Sequence, residues 1–312
     1  MTVAAREARR AAKVRAFADE YPFAPHFHRL PDGLRVHYVD EGPADAAPLL
    51  FVHGNPTWSF YWRKPIQAFA AEQRCIAPDH LGCGFSDKPA AWSYRLADHV
   101  ANLEHLVLAL DLRRITLVVH DWGGPIGLGF AERHRDRIAR LIVLNTAAFP
   151  NDTWGGRAPL RIRACRTPLF GPLAVRGLNA FARMATVMAV EKHERMTPTV
   201  RAGFLAPYDS YENRIATLRF VEDIPLSRSH PTYPTLAGIA DGLAGLRGLP
   251  MCIIWGERDW CFTPAFRREW QRRFPDARVH TADDAGHYVV EDAAERVVDW
   301  IRAFQADHPI ED

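Results

Sequence analysis

The sequence predicts an α/β fold, with an eight-stranded, mostly parallel sheet and helices on both of its faces. Eight short apolar runs recur along the 312 residues, and the later runs alternate with segments of helical periodicity. Continuous Val, Ile and Leu runs between helices are typical of parallel strands that are buried on both faces. Hydrophobic residues make up 48% of the chain, which is enough for a sizeable core.

The predicted strands are separated by turn residues or by helices. They cover residues 26–30, 34–39, 49–53, 74–78, 115–120, 138–145, 251–255 and 278–282. The sequence Pro-Asp-Gly at 31–33 is a turn signal, so we expect the first two strands to pair antiparallel. Helical periodicity is visible in residues 94–110 and 265–273, after the fourth and the seventh strands.

A helical block interrupts this alternation after the sixth strand. It is rich in Arg, Met, Phe and Pro, and it predicts short helices over 173–190, 198–205 and 211–222. We expect this block to cover the carboxyl ends of the strands, where open α/β sheets bind ligands; the alternative is a helical domain that packs elsewhere. The predicted order is a charged N-terminal extension, a first core segment, a helical cap and a second core segment, over 1–20, 21–146, 147–230 and 231–312.

Composition argues against several classes of protein. A net charge of +2 speaks against nucleic-acid binding, and no apolar run is long enough to span a bilayer. The basic N-terminus lacks the apolar segment of a signal peptide, and the five cysteines show no CxxC spacing. We therefore expect a cytoplasmic protein with reduced thiols. Cys83 and Cys261 lie near the predicted site, where small packing residues are the favoured interpretation.

Asp121 is the most informative residue of the chain. The segment 115–125 reads Ile-Thr-Leu-Val-Val-His-Asp-Trp-Gly-Gly-Pro, so an apolar strand ends at a short polar residue that glycines and a helix follow. This pattern predicts a strand–elbow–helix turn that exposes a nucleophile, usually serine. A carboxylate that attacks an acyl carbon gives a labile anhydride, whereas attack on a saturated carbon with a leaving group gives an alkyl ester. The competing interpretation is a simple helix N-cap.

Three other segments complete the candidate site. The segment 51–56, Phe-Val-His-Gly-Asn-Pro, follows the third strand, and the glycine-containing segment 78–87 follows the fourth. Asp259 follows the seventh strand, and His287 follows the eighth in the sequence Ala-Gly-His. The order of nucleophile, acid and histidine is that of α/β hydrolases, with Asp121 in place of serine.

At these residues the chain closely resembles the haloalkane dehalogenases of the α/β-hydrolase fold. The matching segments are His-Gly-Asn-Pro-Thr-Trp-Ser at 53–59, Pro-Asp-His-Leu-Gly-Cys-Gly at 78–84, His-Asp-Trp-Gly at 120–123 and Gly-His at 286–287. The resemblance runs from about residue 25 to the end of the chain and is weakest in the cap. It implies an α/β-hydrolase fold whose helical cap is inserted after strand 6.

The resemblance also implies a role for each member of the triad. Asp121 would displace the halide to form an alkyl ester, and His287 would then activate the water that hydrolyses this ester. Asp259 would orient the imidazole of His287. Because the sixth strand ends at Asn145, without a carboxylate, Asp259 is the favoured acid. Three nearby carboxylates compete with it: Glu257, Asp283 and Asp284.

The leaving group is expected to meet N–H donors from Asn55 and Trp122, which suit a halide. Their backbone N–H groups would hold the oxyanion of the tetrahedral intermediate. The implied partners are a small halogenated aliphatic substrate, water and the halide product. The resemblance implies no cofactor, and its subgroup tends to form homo-oligomers. We expect no metal site, because the histidines that could suggest one lie on separate loops without ligand spacing: His53, His80 and His120.

Alternatives from other classes stay open. An epoxide hydrolase would use the same aspartate with cap tyrosines that protonate the alkoxide, and three are available: Tyr208, Tyr211 and Tyr233. Coelenterazine-type luciferases share the framework, and the triad does not exclude one. A noncatalytic binding protein of this fold would be expected to lack a triad member, and none is missing. Phe149 and Phe170 are further candidates for the pocket lining.

Overall fold

The computed structural model describes residues 3–150 and 159–310, so parts of the predicted extension, cap and second core segment lie outside the described residues. Each predicted strand is present, and the ends differ by at most two residues. The strands are β1 His26–Arg29, β2 Arg35–Glu41, β3 Leu49–Val52, β4 Cys75–Pro78, β5 Ile115–His120, β6 Ile138–Leu144, β7 Met251–Gly256 and β8 Arg278–Ala282.

The strands form one sheet with the order β1-β2-β4-β3-β5-β6-β7-β8. Strand β2 runs antiparallel to both β1 and β4, and the other neighbours pair parallel. The turn between β1 and β2 contains Gly33, whose φ of 84° favours glycine. The predicted hairpin and the mostly parallel sheet are therefore confirmed.

Helices cover both faces of this sheet. The α-helices are α1 Val3–Val14, α2 Arg63–Phe69, α3 Leu96–Ala109, α4 Gly123–Arg133, α5 Leu160–Cys165, α6 Ala180–Met188, α7 Pro198–Leu205, α8 Ile215–Glu222, α9 Tyr233–Gly242, α10 Pro264–Arg273, α11 Val289–Asp292 and α12 Ala294–Asp307. Within the described ranges, no helix combines the length and the apolar character needed to cross a membrane.

Side chains of the central strand β5 alternate between two hydrophobic clusters. Leu117 and Val119 pack into the cluster that contains residues of α3, α4 and α10. Val118 packs into the cluster on the opposite face, which contains residues of α2 and α12. Because both faces are covered, β5 is buried along its whole length, and its carboxyl end can hold a polar side chain in an apolar surrounding.

The helices between β6 and β7 depart from the prediction in two respects. The single helix expected over 173–190 is wrong, because a π-helix Pro172–Gly177 is followed by a break before α6. Asn179 occupies the break with a φ of 55°, a left-handed conformation that Asn tolerates better than most residues. Helix α5 was not predicted from the sequence, whereas α7 lies where the pattern placed it.

The N-terminal extension packs against the body of the protein. Helix α1 is followed by a turn that buries Phe17 and Tyr21, and the Tyr21 hydroxyl lies 2.6 Å from Ser59 Oγ. Lys13 forms a 2.9 Å ion pair with Asp209, which lies between β6 and β7. These aromatic and ionic contacts attach the extension both to the core and to the inserted helices.

Candidate active site

Asp121 lies at the turn between β5 and α4, with a φ of 51°. This strained left-handed conformation is characteristic of a nucleophile elbow. The following glycines allow the helix to pack closely. A Cβ on Gly123 would lie 2.0 Å from the Val52 carbonyl oxygen, and one on Gly124 would lie 1.9 Å from Thr146 Oγ1. The sequence pattern predicts a sharp turn between β5 and α4, and the close contacts at Gly123 and Gly124 require one.

The Asp121 carboxyl is buried and held by backbone N–H groups. Asn55 N–H donates to Asp121 Oδ1 at 2.6 Å, and Trp122 N–H also bonds to this carboxyl. Burial raises the pKa of Asp121 above its ordinary value, although the charge of His287 and the two N–H groups oppose this effect. Burial is the largest of these contributions, so the net shift is upward.

His287 lies between the two aspartates. Its Nδ1 is 2.7 Å from Asp259 Oδ2, and its Nε2 is 3.7 Å from Asp121 Oδ2. Burial alone would lower the pKa of His287, but Asp259 and, to a smaller extent, Asp121 raise it above its ordinary value. The imidazole can therefore orient on Asp259 and hold a proton between the two carboxylates.

Asn145 positions Asp259, a role that the sequence analysis missed. Its Nδ2 donates to Asp259 Oδ2 at 2.9 Å and to the Gly256 carbonyl at 3.1 Å, while its Oδ1 accepts from Gly256 N–H at 2.8 Å. Asp259 Oδ1 accepts backbone N–H groups from the next loop, at 2.7 Å from Cys261. A polar residue at the end of the apolar strand β6 was the available signal.

Two of the three competing carboxylates, those of Glu257 and Asp284, are engaged elsewhere. Glu257 pairs with Arg267 at 2.7 Å, and Asp284 pairs with Lys192 at 2.7 Å. Among the residues that the structure describes, His287 forms its carboxylate contacts with Asp259 and Asp121. This geometry supports the choice of Asp259 as the acid.

A cavity of about 130 Å³, here called the nucleophile cavity, lies over Asp121. Trp122 lines it and packs against Phe220, with ring centroids 5.3 Å apart. Phe149, predicted to line the pocket, is part of its wall. Apolar side chains from the core and from the inserted helices complete the wall, among them Leu96, Ile162, Ile224, Leu236 and Phe262.

The Asn55 side chain is partly committed to the protein itself. Its Nδ2 donates to the Thr217 carbonyl in α8 at 3.2 Å, and Asn55 is not among the residues that line the nucleophile cavity. One of its two side-chain N–H bonds is therefore already used. The backbone N–H of Asn55 reaches Asp121, whereas the predicted halide contact of its side chain stays a prediction.

The tyrosines of the epoxide hydrolase alternative lie away from the nucleophile cavity. The Tyr208 hydroxyl donates to the Thr57 carbonyl at 3.3 Å, and the Tyr211 ring lies under the Arg176 guanidinium at 4.0 Å. Tyr233 begins α9 and does not line the cavity either. In the described part of the chain, none of these three cap tyrosines is thus placed to protonate an alkoxide at Asp121.

The histidines considered as metal ligands form hydrogen bonds to the protein instead. His53 Nδ1 donates to the Gly54 carbonyl at 2.7 Å, and His80 Nε2 donates to the His53 carbonyl at 2.9 Å. His120 Nε2 donates to the His287 carbonyl at 2.9 Å, and burial holds the pKa of His120 well below its ordinary value. The neutral His120 imidazole thus supports the backbone of the loop that carries His287.

The two cysteines near the site have protonated thiols. Burial raises the pKa of Cys83 to about 12 and raises that of Cys261 well above its ordinary value. A thiol is a poor nucleophile until it ionises. Neither cysteine therefore competes with Asp121, although Cys261 lines the nucleophile cavity.

Comparisons with known proteins give the same fold class. Residues 47–294 match the family model of the alpha/beta hydrolase fold. A cis-3-alkyl-4-alkyloxetan-2-one decarboxylase of Shewanella oneidensis is 42% identical over 92% of this chain and 89% of its own length. A haloalkane dehalogenase of Mycobacterium marinum is 35% identical over 90% of this chain and 94% of its own.

A solved structure shows the same architecture. The haloalkane dehalogenase from Bradyrhizobium elkani superposes with a TM-score of 0.82 at 27% identity and covers 91% of this chain and 99% of its own. The sequence relatives thus carry two different activity names, and both groups align over nearly the whole chain. These names differ in the reaction, although both relatives align with the same framework.

Proposed function

The chain belongs to the α/β-hydrolase family and is a relative of the haloalkane dehalogenases, and we propose that it decarboxylates cis-3,4-dialkyl-2-oxetanones to alkenes. The observation that carries this proposal is the Asp121 carboxylate, held by backbone N–H groups on the floor of an otherwise apolar cavity. Such a group attacks a saturated carbon without the help of a base. The 42% identity to an oxetanone decarboxylase favours the ring carboxylate as the leaving group.

The proposed reaction needs neither water nor a redox partner. An Asp121 oxygen bonds to C4 of the ring, the bond from C4 to the ring oxygen breaks, and its electron pair remains on the released carboxylate. The electron pair of the bond between C3 and the carboxyl carbon then forms the double bond, and carbon dioxide departs. The ester bond to Asp121 breaks at the same time and returns its electron pair to the aspartate.

The stereochemistry of the product follows from these two steps. Attack from the back inverts C4, and elimination with the two departing groups opposite each other then compensates for this inversion. A cis-disubstituted ring is therefore expected to give the Z-alkene. During elimination, the N–H groups of Asn55 and Trp122 would stabilise the departing Asp121 carboxylate.

Hydrolytic dehalogenation is the second candidate function, and it is the one that the sequence motifs favoured. Its support is Trp122, whose indole lines the nucleophile cavity next to Asp121, together with the 35% identity to a haloalkane dehalogenase. In this reaction, the alkyl ester on Asp121 is hydrolysed by water that His287 activates. The two candidates therefore share the first displacement and differ in how the ester is resolved.

The test offers both substrates to one preparation of the purified protein. Gas chromatography measures the Z-alkene, and carbon dioxide is traced from an oxetanone that is isotopically labelled at the carbonyl carbon. Halide release from a brominated alkane of similar size is measured in parallel, with Asp121→Asn as the background control. Rapid halide release with an unchanged oxetanone would replace the decarboxylase proposal by the dehalogenase.

A further inference from the structure

A second apolar cavity lies in the cap, beside the nucleophile cavity. This cap groove has a volume of about 340 Å³ and is formed by α5, the π-helix Pro172–Gly177, α6 and the loop after β7. Its lining includes Ile162, Phe170, Phe181, Ala185 and Trp260. Two of them present large apolar surfaces to solvent, since Phe170 is 54% exposed and Trp260 is 37% exposed. Clustered exposed apolar residues of this kind mark binding sites.

The two cavities share a wall. Ile162 lines both of them, and Cys261 of the nucleophile cavity is the chain neighbour of Trp260 in the cap groove. The wall is a small hydrophobic cluster in which Ile162 and Val221 are buried and Phe181 packs against them. An apolar chain that leaves the nucleophile cavity along Ile162 thus meets apolar side chains throughout.

The Trp260 side chain is fixed in a way that leaves its ring available. Its indole N–H donates to the Met188 carbonyl at 3.0 Å, so its one polar group is satisfied by the protein. The Arg161 guanidinium lies 5.4 Å from the ring centroid and places a cation at the rim of the groove. The groove therefore offers an apolar floor with a charged edge, which suits an alkyl chain better than a polar ligand.

We infer that the cap groove binds one of the two alkyl chains of the substrate while the other stays in the nucleophile cavity. This inference rests on the proposed function, because a 3,4-dialkyl ring carries its chains on adjacent carbons. A ring whose C4 faces Asp121, together with one alkyl chain, fills a 130 Å³ cavity, so the second chain needs a separate apolar site. The 340 Å³ groove behind Ile162 is that site.

The decisive variant fills the groove without touching the nucleophile cavity. Ala185→Phe places a ring in the groove, and Ala180→Trp does the same from the start of α6 if the first variant folds poorly. Val187→Phe is the matched control, because Val187 is on the same helix, is 40% exposed and does not line the groove. The substrates are two isomeric oxetanones, one with its long chain at C3 and the other at C4.

The expected result is an effect on one isomer only. Ala185→Phe should raise KM for the isomer whose long chain enters the cap groove. The increase should be about tenfold or more, which corresponds to the affinity carried by roughly two buried methylene groups. The other isomer and a short-chain oxetanone should keep their kcat and KM, and Val187→Phe should behave as the wild type does. If Ala185→Phe slows the turnover of all substrates equally, the groove is an access route. If it affects no substrate, the groove does not take part in binding. Either outcome overturns the inference.

A binding measurement separates this inference from the proposed function. Calorimetry measures the affinity of two isomeric saturated ketones. One ketone has two long alkyl arms, and the other is a methyl ketone that has one arm. The wild type should bind the two-armed ketone more tightly, and Ala185→Phe should remove the difference. If no oxetanone is turned over but this pattern appears, the proposed activity is wrong and the chain site is supported. If the ketones bind alike, the chain site is wrong whatever the activity.

Discussion

The Nε2 atom of His287 lies 3.7 Å from the Oδ2 atom of Asp121. This separation is too long for a direct hydrogen bond, so the two side chains face each other across a short gap. Asp121 can therefore attack without first transferring a proton to the histidine. In the dehalogenase reaction, the imidazole would activate the water molecule that hydrolyses an ester on Asp121. In the decarboxylase reaction, elimination would resolve this ester before water attacks it.

Asp121→Asn should reduce turnover of both oxetanones and brominated alkanes to background. Asn is nearly isosteric, and its side-chain carbonyl can still accept the Asn55 N–H, so the fold should be retained. What is lost is the anionic nucleophile. Product formation is measured alongside circular dichroism and thermal unfolding, with deamidation excluded by mass spectrometry. Full activity in a verified sample would show that Asp121 is not the nucleophile.

His287→Gln should separate the two candidate reactions. With a brominated alkane, the variant should form the alkyl ester and stall, because no base activates water; intact mass should show the adduct. With an oxetanone, decarboxylation should slow by at most about 10²-fold, because the proposed elimination needs no water and loses one hydrogen bond at most. Complete loss of decarboxylation, with no adduct, would contradict the proposed division of roles.

Trp122→Phe should slow the displacement step by roughly 10–150-fold, the effect of one charge-assisted hydrogen bond to a leaving group. In the dehalogenase reaction, the rate of chloride release should fall more than the rate of bromide release, because chloride leaves less readily. Asn55→Ala should have a smaller effect than Trp122→Phe, since the Asn55 amide already donates to the Thr217 carbonyl. Single-turnover kinetics measure this step, and wild-type rates in both variants would show that Asn55 and Trp122 do not stabilise the leaving group.

Gly54→Ala should reduce activity while the protein remains folded. A Cβ at this position would lie 2.1 Å from Asp121 Oδ1, so the carboxylate must move. A displacement of about 1 Å at a reacting group can cost 10²-fold in rate. Gly238→Ala is the control, because a Cβ there meets no atom within 4 Å. Equal activity of the two variants would mean that the position of the Asp121 carboxylate is not critical.

The pKa of His287 should fall in Asp259→Asn. Burial lowers this pKa in the wild type, and Asp259 and Asp121 together raise it above the ordinary value. Asp259 is the closer partner, so Asp259→Asn should lower the pKa more than Asp121→Asn does. In hydrolysis, neutral His287 is the active form, so the rate of a brominated substrate should fall as pH drops through this pKa.

Titration of the imidazole C–H signals by NMR checks this order directly. The acidic limb of the hydrolysis profile of the wild type should lie above the ordinary pKa of histidine, because the two carboxylates stabilise the imidazolium. A larger fall in Asp121→Asn than in Asp259→Asn would show that the 3.7 Å contact, rather than the 2.7 Å hydrogen bond, controls His287.

Local sequence patterns determined the fold class and the positions of the strands. Each strand is a short apolar run, and burial on both faces imposes this composition whatever the neighbouring strand is. The elbow at Asp121 was equally local, because strand, short polar residue and glycines follow one another directly. The order of Asp121, Asp259 and His287 then indicated which polar residues meet, since the carboxyl ends of parallel strands share one edge of the sheet.

Only the tertiary structure decided how distant groups use their polar atoms. The Asn55 amide bonds to Thr217, and Asn145 holds Asp259, across 162 and 114 positions of the chain respectively. The break at Asn179 and the separation of the two cavities by Ile162 depend in the same way on packing between inserted helices. Periodicity reports which face of an element is buried, whereas the identity of its partner depends on contacts between segments that are remote in sequence.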